Sequence, residues 1–279
     1  DIRFSHRVAA VTCNDDSVAV EVDTSDGIEL FQGRYLIGSD GGRSTVRGKM
    51  NIRFEGFTWA ERFLVLSTPF DFEAKRGMCY RNYIADPEEW CNCFKVAGDG
   101  PPGLWRTVYP EDPNAPEDDL LAEDYTQKKL QNFFPSDESY EIVHRNLYTV
   151  HQRVAATFRK GRVLLAGDAA HVNNSIGGMG LNGGIQDAVN LAGKLSQVWQ
   201  KDATDDLLDQ YDLERRTFAT DFVQAQTIQN KNRLEAKDPK LRQSFLDELR
   251  ATAADNNRAR QFMLKSSMIE AMRRISSRC

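Results

Sequence analysis

The stretch GRVLLAGDAAHVNNSIGGMGLNGGIQD, residues Gly161–Asp187, decides the fold of this chain. Its apolar start predicts a short buried strand over residues 161–166, which runs into a Gly-Asp pair. The glycine-rich stretch 177–184 then predicts a loop, and Asn182 is a suitable residue to cap the helix that follows. That helix is indicated by apolar side chains at helical spacing: Ile185, Ala188, Val189, Ala192, Leu195 and Val198.

This strand–loop–helix pattern offers two groups that suit a ligand with hydroxyls and a ring. The carboxylate of Asp168, directly after Gly167, can accept a hydrogen bond from a ribose or polyol hydroxyl. The loop and the helix N-terminus present free N–H groups and the positive end of a dipole. A plain helix cap after a buried strand would leave the glycines of 177–184 unexplained, so we favour a binding site.

A second motif, Asp40-Gly-Gly-Arg-Ser-Thr-Val-Arg47, follows an apolar segment at residues 34–38 that predicts another short buried strand. Glycines at a strand end let the backbone approach a ligand, and a carboxylate can accept from a sugar hydroxyl or a bound water. A strand-to-helix turn, with Ser44 starting the helical turn, explains the same residues. Taken alone, the motif leaves both interpretations open.

Apolar residues alternate with other residues, with a period of two, in much of the first half of the chain. Val18, Val20 and Val22 alternate with other residues, and residues 6–32 predict a three-stranded antiparallel meander. Residues 54–110 predict a mainly antiparallel sheet of about four strands, rich in aromatic side chains and interrupted by turns. Its strand candidates are Phe63–Leu66, Met78–Ile84, Trp90–Val96 and Leu104–Tyr109.

The second half of the chain is predicted to be mostly helical. Residues 111–124 are acidic and contain prolines, which favours an exposed loop, and a helix is expected over 124–134. Beyond residue 203 the pattern predicts helices over 205–236, 239–254 and 257–275.

Composition excludes several classes of function. The 279 residues carry 36 basic and 41 acidic side chains, a net charge of −5, which argues against nucleic acid as the main partner. No apolar run approaches the ~20 residues that a membrane-spanning helix needs, so a membrane partner is not expected. The five cysteines have neither disulfide nor zinc spacing. We expect packing thiols in a reducing cytoplasm, and no metal site.

Together the motifs resemble those of a known family. Their pattern is Asp40-Gly41-x-x-Ser44-x-x-Arg47, then Gly167-Asp168-Ala169-Ala170-His171, then Gly180-x-Asn182-x-Gly184-x-x-Asp187-Ala188. This set resembles the single-component FAD-dependent aromatic hydroxylases, the flavoprotein monooxygenases typified by para-hydroxybenzoate hydroxylase. The strand-rich insert between the motifs and the helical tail after them also follow the order of that family.

The resemblance implies an α/β fold, in which an FAD-binding, Rossmann-like domain of the para-hydroxybenzoate hydroxylase type is interrupted by a mainly antiparallel β-sheet substrate domain. The FAD-binding domain is expected at residues 1–50 and 151–220, the β-rich domain at 51–150 and a helical C-terminal segment at 221–279. The resemblance implies the following FAD-binding residues: Asp40, Gly41, Arg47, Gly167, Asp168, Gly178, Met179, Gly180, Leu181 and Asn182.

The implied reaction is hydroxylation of a small aromatic, polycyclic or related ring. By the resemblance, NADPH or NADH reduces FAD, and O2 then forms a flavin hydroperoxide that transfers one oxygen to the ring. Ser175 stands where the family usually has proline, in a loop over the substrate, and Tyr80 and Asn82 of the sheet are further substrate candidates. Alternation leaves open which sheet face lines the pocket. His171 is expected to tie strand to loop rather than to catalyse.

One element of the family is not found in the sequence. The family opens with a strand and a Gly-x-Gly-x-x-Gly turn that holds the FAD pyrophosphate, whereas the glycines of 177–184 follow a different element. We therefore expect that the chain lacks its first βαβ unit, as an N-terminal segment or a complementary chain, and a homodimer is also open. The alternatives are a flavin halogenase or prenyl reductase of the same fold, or an inactive fragment or scaffold.

Overall fold

Strands are the main elements in the first half of the chain, and helices are the main elements in the second. The computed structural model describes residues 1–100 and 103–276, so part of the turn predicted around Pro101 and the end of the helical segment beyond Ser276 lie outside the described residues. Its strands are β1 (Arg7–Cys13), β2 (Val18–Thr24), β3 (Gly27–Gly33), β4 (Leu36–Gly38), β5 (Phe54–Thr68), β6 (Arg81–Ile84), β7 (Cys91–Val96), β8 (Leu104–Glu111), β9 (His144–Ala155), β10 (Arg159–Lys160), β11 (Val163–Leu165) and β12 (His171–Val172). Its helices are α1 (Thr45–Lys49), α2 (Phe72–Arg76), α3 (Glu117–Leu121), α4 (Glu123–Phe133), α5 (Met179–Gln200), α6 (Asp206–Thr217), α7 (Ala225–Leu234), α8 (Pro239–Ala254), α9 (Asn256–Ser266) and α10 (Ile269–Ser276), with a 3₁₀ turn at Gly167–Ala169 and a π-helical segment at Phe218–Gln224.

The chain divides into two units. The first contains Asp1–Phe57, His151–Ile228 and the residues from Asn256 onward, and the second contains Thr58–Val150 and Gln229–Asp255. Helix α8 and the end of α7 therefore group with the β-rich part of the chain. The functional domain boundaries that the resemblance implies stay a prediction.

The first unit opens with the predicted meander. Strands β1, β2 and β3 pair antiparallel in that order. Val18, Val20 and Val22 are all buried, because alternate side chains of a strand point to the same face. The meander expected over residues 6–32 is confirmed.

A short sheet in the same unit brings the two motifs together. Its strand order is β10-β11-β4, and β4 runs parallel to β11 with Leu36 opposite Val163 and Gly38 opposite Leu165. Because the two strands are parallel, their carboxyl ends lie at the same end of the sheet. Helix α1 follows one strand there and the 3₁₀ turn follows the other, so both predicted strands are confirmed.

Helix α5 begins earlier than the sequence predicted. We expected a loop over 177–184 and a cap at Asn182, but the helix begins at Met179 after Gly178, so that prediction is wrong. Gly177 and Gly178 supply the positive φ angles, 106° and 66°, with which the loop ends. Gly183 and Gly184 lie inside the helix, where the lack of a side chain allows close packing on His171 and Gly167.

The second unit is built on an antiparallel sheet with the strand order β9-β5-β8-β7-β6. Strand β9 was not among the predicted strands, because its first half carries charged and polar side chains that are mostly exposed. The strand expected from Met78 begins only at Arg81. One face of the sheet and α4 form a core that includes Leu64, Leu66, Cys91, Cys93, Trp105, Tyr109 and Leu130.

Helices also replace part of an expected loop. The acidic region 111–124 was predicted to be a loop, but it contains α3, which begins with Glu117, Asp118 and Asp119. Acidic side chains in a first turn are favoured by the positive end of the helix dipole, which explains the difference. The helix expected over 124–134 is confirmed as α4.

The buried cysteines of the second unit behave as packing residues. Cys91 and Cys93 are buried free thiols, as expected. Burial raises the pKa of Cys93 to about 12, so this thiol stays protonated and unreactive at neutral pH.

Candidate functional site

Arg47 joins the two sequence motifs in one site. Its buried guanidinium donates one hydrogen bond to the carbonyl oxygen of Ala169 and another to that of Gly42, each at 2.8 Å. The guanidinium carbon also lies 3.7 Å from the ring centre of Phe54. Burial lowers the pKa of Arg47, and the nearby Asp40 carboxylate opposes that shift. Since Ala169 belongs to the Gly-Asp turn, Arg47 fastens one motif to the other.

Asp40 and Gly41 shape the turn that precedes α1. The Asp40 carboxylate accepts hydrogen bonds from the Ser44 hydroxyl and from the Val46 backbone N–H, the latter at 3.0 Å. Gly41 has a φ of +81°, which a glycine adopts without strain. Both Asp40 oxygens thus bind within the chain. The FAD-binding roles expected for Asp40, Gly41 and Arg47 stay predictions, and the contacts support a role in holding this turn.

Asp168 presents a carboxylate that has no partner. It lies on the 3₁₀ turn after β11, its side chain is exposed, and it makes no hydrogen bond within residues 1–100 and 103–276. The turn is tight, because Gly167 has a φ of +62°. An exposed carboxylate on a fixed turn is a ready acceptor for a hydroxyl group.

The N-terminus of α5 lies beside this turn. A β-carbon on Gly184, in the second turn of α5, would stand only 3.2 Å from the Cα atom of Gly167. No side chain caps the first turn of α5; the Asn182 amide instead donates to the carbonyl oxygen of Gly178 at 2.8 Å. Backbone N–H groups at the positive end of this 22-residue helix are therefore available to a ligand.

The other predicted residues in the first turn of α5 differ in how far they are exposed. Leu181 is 78% exposed, whereas Met179 is buried and packs near Phe218. Gly180 is half-buried, and a β-carbon there would meet the Asn173 side-chain oxygen at an ordinary 3.5 Å. The Met179 side chain is turned into the core, and the FAD-binding roles expected for Met179, Gly180 and Leu181 stay predictions.

A buried network that the sequence analysis did not assign lies beneath the site. The Asp187 carboxylate binds the Nε2 atom of His171 at 2.8 Å and the Nε atom of Arg215 at 2.6 Å. The His171 ring is buried and stacks on Phe158, which supports the structural role expected for it. Arg215 was missed because it lies on α6 with no motif around it.

The predicted substrate residues lie in different parts of the chain. Ser175 is an exposed residue of the loop before α5, and its carbonyl oxygen accepts from Gly178 N–H at 2.9 Å. Tyr80, in the second unit, is 72% exposed and precedes β6. The Asn82 amide bonds the backbone of Cys79 and Cys93, so it closes a turn. The substrate roles of Ser175, Tyr80 and Asn82 stay predictions.

The described part of the chain shows neither a metal-binding cluster nor a membrane-spanning helix. Within it, no group of three or more His, Cys, Asp or Glu side chains is arranged to hold a metal ion. None of its helices combines the length and the apolar character needed to cross a membrane.

Comparison with known proteins places the chain in a family. Residues 1–226 match the family described as FAD binding domain. The chain is 36% identical to para-nitrophenol 4-monooxygenase of Pseudomonas sp. (strain WBC-3), over all of this chain and 68% of that protein. It is 33% identical to 6-hydroxy-3-succinoylpyridine 3-monooxygenase of Pseudomonas putida (strain DSM 28022 / S16), over 93% of this chain and 65% of that protein.

A solved structure shows the same fold. Crystalline p-nitrophenol 4-monooxygenase from Pseudomonas putida DLL-E4 superposes with a TM-score of 0.86 and 33% identity, over 94% of this chain and 66% of that one. The chain thus spans about two thirds of the length of these proteins. It belongs to the FAD-binding domain family of the FAD-dependent aromatic-ring monooxygenases, the class that its motifs resemble.

Proposed function

We propose that the protein is an FAD-dependent monooxygenase that hydroxylates a small aromatic ring with NADPH or NADH and O2. The main support for this proposal is that the exposed Asp168 carboxylate and the uncapped N-terminus of α5 lie beside each other in one site. The compared relatives are named as monooxygenases, which supports this reading over a halogenase, a prenyl reductase or an inactive scaffold.

The residues of this site fit FAD. Within the part of the chain that the structure describes, the Asp168 carboxylate has no hydrogen-bond partner, which suits a ribityl or ribose hydroxyl. The backbone of Gly180, Leu181 and Asn182 lies at the positive end of α5, which suits the oxygen-bearing edge of the flavin ring and favours negative charge there. FAD supplies the redox chemistry, and these residues bind and orient it.

We also propose that a βαβ unit outside these 279 residues completes the FAD site. Strand β4 pairs with β11 on one side, and no described strand pairs with its other side. Strands of parallel sheets are normally covered on both faces and paired, because an open edge leaves N–H and C=O groups exposed. The edge of β4 is therefore suited to a further parallel strand.

An apolar groove next to β4 supports this proposal. The groove has a volume of about 490 Å³, and its lining includes Ile37, Ala166, Ala188, Leu191, Ala192, Leu195 and Trp199. Of these lining residues, Ile37 is 43% exposed and Trp199 is 59% exposed. A strand paired with β4 and a helix laid over this groove would bury that apolar surface. Such a unit would also bring the Gly-x-Gly-x-x-Gly turn for the pyrophosphate.

Flavin binding and substrate-dependent turnover test the proposed function. FAD is titrated into the chain alone and into the chain joined to a βαβ unit that carries a Gly-x-Gly-x-x-Gly turn, with quenching of flavin fluorescence as the readout. We expect tight binding only by the joined protein.

The joined protein is then supplied with NADPH or NADH and with 4-nitrophenol, and nitrobenzene, which lacks the hydroxyl, is the control. Equal FAD affinity of both proteins would contradict the completing unit, and no flavin binding by either would contradict the function.

A cytoplasmic location is a further proposal, which the free thiols Cys91 and Cys93 support. A homodimer stays a prediction, and size-exclusion chromatography of the joined protein tests it.

A further inference from the structure

We propose that Asp187 is a positioning residue that holds the Asp168 turn in place against helix α5. The proposal rests on the proposed function, in which that turn and the start of α5 bind FAD. Asp187 itself touches no ligand and acts through the residues to which it is hydrogen-bonded.

The Asp187 carboxylate is completely buried and accepts hydrogen bonds from three separate elements. Oδ2 accepts from the backbone N–H of Gly167 at 3.0 Å and lies 2.8 Å from Nε2 of His171. Oδ1 accepts from Nε of Arg215 at 2.6 Å. Asp187 itself stands on α5, so a single carboxylate ties this helix to the 3₁₀ turn, to β12 and to α6.

Two of these contacts directly adjoin the proposed flavin contacts. Gly167 is the neighbour of Asp168, so the bond to Gly167 N–H fixes the backbone from which the Asp168 side chain extends. Arg215 also donates to the carbonyl oxygen of Gly183 at 3.2 Å, one residue after Asn182. The network thereby reaches both the hydroxyl-binding turn and the first turn of α5.

Close backbone packing makes this arrangement sensitive to small changes. A β-carbon on Gly184 would lie 3.2 Å from the Cα atom of Gly167, and one on Gly183 would lie 3.1 Å from Cε1 of His171. A β-carbon at either position would therefore press its neighbour away by a few tenths of an ångström. A displacement of the turn by about 1 Å is enough to misplace a bound group strongly.

A second carboxylate of the same unit provides a matched control. Asp212 also accepts from a backbone N–H (Phe158, 2.7 Å), a side chain (Thr157, 2.9 Å) and an arginine (Arg216, 3.4 Å). It has no bond to the Gly167–Ala169 turn or to α5. A role limited to general stability would make Asp187 and Asp212 respond alike.

The first test compares Asp187→Asn with Asp212→Asn. An amide has one acceptor oxygen instead of two, so Asp187→Asn deprives either the Gly167 N–H or the Arg215 guanidinium of its acceptor, and Asp212→Asn makes the same change of charge away from the turn. We expect Asp187→Asn to weaken FAD binding by the joined protein about tenfold or more, and Asp212→Asn to change it less than about twofold. In the chain alone, amide hydrogen exchange at Gly167 should accelerate in Asp187→Asn and stay unchanged in Asp212→Asn.

The second test avoids the charge change. Gly184→Ala pushes on Gly167, while Gly193→Ala on the same helix meets no atom within 4 Å. We expect faster Gly167 exchange and weaker FAD binding only in Gly184→Ala. Unchanged exchange in both Asp187→Asn and Gly184→Ala overturns the inference while leaving the proposed function intact. Wild-type protein that binds no FAD overturns the proposed function and this inference together.

Discussion

Two aspartates of one motif perform opposite tasks at the residue scale. Asp168 is exposed and has no partner in the described chain, so it is free to bind a ligand. Asp187 is buried, and both of its carboxylate oxygens are hydrogen-bonded, to Gly167, His171 and Arg215. A buried carboxylate is tolerated only when it is hydrogen-bonded and paired, whereas an exposed one needs no partner. The same side chain is therefore a binding group at one position and a structural group at the other.

Replacement of Asp168 should affect the ligand and not the fold. We expect Asp168→Ala to weaken FAD binding by the joined protein about tenfold or more, because a hydrogen bond to a charged group contributes about 1.5–3 kcal/mol. The free energy of unfolding should stay within about 0.5 kcal/mol of wild type, as for most surface changes. Fluorescence titration and urea denaturation measure the two quantities, and Asp202→Ala, another exposed aspartate, is the control. Normal flavin retention by Asp168→Ala would show that the turn is misassigned.

The pH dependence of stability should carry a contribution from Asp187. Burial alone would raise the pKa of Asp187, but the hydrogen bond from His171 and the attraction of His171 and Arg215 outweigh it, so the pKa lies below its ordinary 3.8. A carboxylate with a lowered folded pKa stabilises fully above its unfolded pKa, and loses that effect as the pH falls through the folded value.

We therefore expect wild-type stability to fall more steeply below about pH 4 than that of Asp187→Asn, which cannot titrate there. Urea denaturation at a series of pH values provides the free energies of unfolding. Parallel curves for the two proteins would mean that Asp187 does not titrate with a lowered pKa.

At the scale of elements, α5 combines binding with packing along its length. Its first turn leaves N–H groups for a ligand, its second turn packs on the 3₁₀ turn through Gly184, and its later residues line the apolar groove. Glycines at the first two turns serve different purposes, which a matched set of alanine substitutions can separate.

Gly180→Ala and Gly193→Ala should both be tolerated by the fold. A β-carbon has room at each position, and alanine is favoured over glycine within helices by up to about 1 kcal/mol. Only Gly180→Ala should weaken FAD binding and lower the ratio of hydroxylated product to NADPH or NADH consumed, since the site needs close backbone approach at the first turn. Identical ratios of product to NADPH or NADH consumed in the two variants would show that the first turn of α5 is not part of the flavin site.

At the scale of the whole molecule, the chain exposes apolar surface where β4 and α5 meet the groove. Ile37 and Trp199 line the apolar groove and are 43% and 59% exposed. Contiguous apolar surface of this kind usually marks an interaction site. Its position beside an open strand edge fits the unit proposed to complete the FAD site.

The isolated chain should therefore bind a fluorescent apolar dye such as anilinonaphthalene sulfonate. Joining the βαβ unit should reduce that binding, because the unit covers the groove. Trp199→Lys, in the lining of the groove, should lower dye binding by the chain alone and weaken FAD binding by the joined protein. Leu213→Lys, at an exposed apolar residue of α6, is the control and should leave flavin affinity unchanged. Dye binding that does not respond to the joined unit would argue for another occupant of the groove.

The sequence by itself determined the local elements and the family. Alternating valines marked the meander, apolar runs marked β4 and β11, and the spacing from Ile185 marked most of α5. These patterns are local, since the period of a strand or helix is written in neighbouring residues. The Gly-Asp motif and its glycines indicated a binding turn, and FAD followed from the resemblance of these motifs to those of the FAD-dependent aromatic hydroxylases.

Only the tertiary structure decided which side chains bind a ligand and which hold the site together. Arg47 contacts Ala169, which is 122 residues away in the sequence, and Arg215 contacts Asp187, which is 28 residues away. No local sequence pattern predicts either contact. The same holds for the start of α5, where packing of Gly184 against Gly167 replaced an expected loop by helix. The physical reason is that burial and hydrogen-bond partners arise when distant segments meet, whereas sequence periodicity reports only on neighbours along the chain.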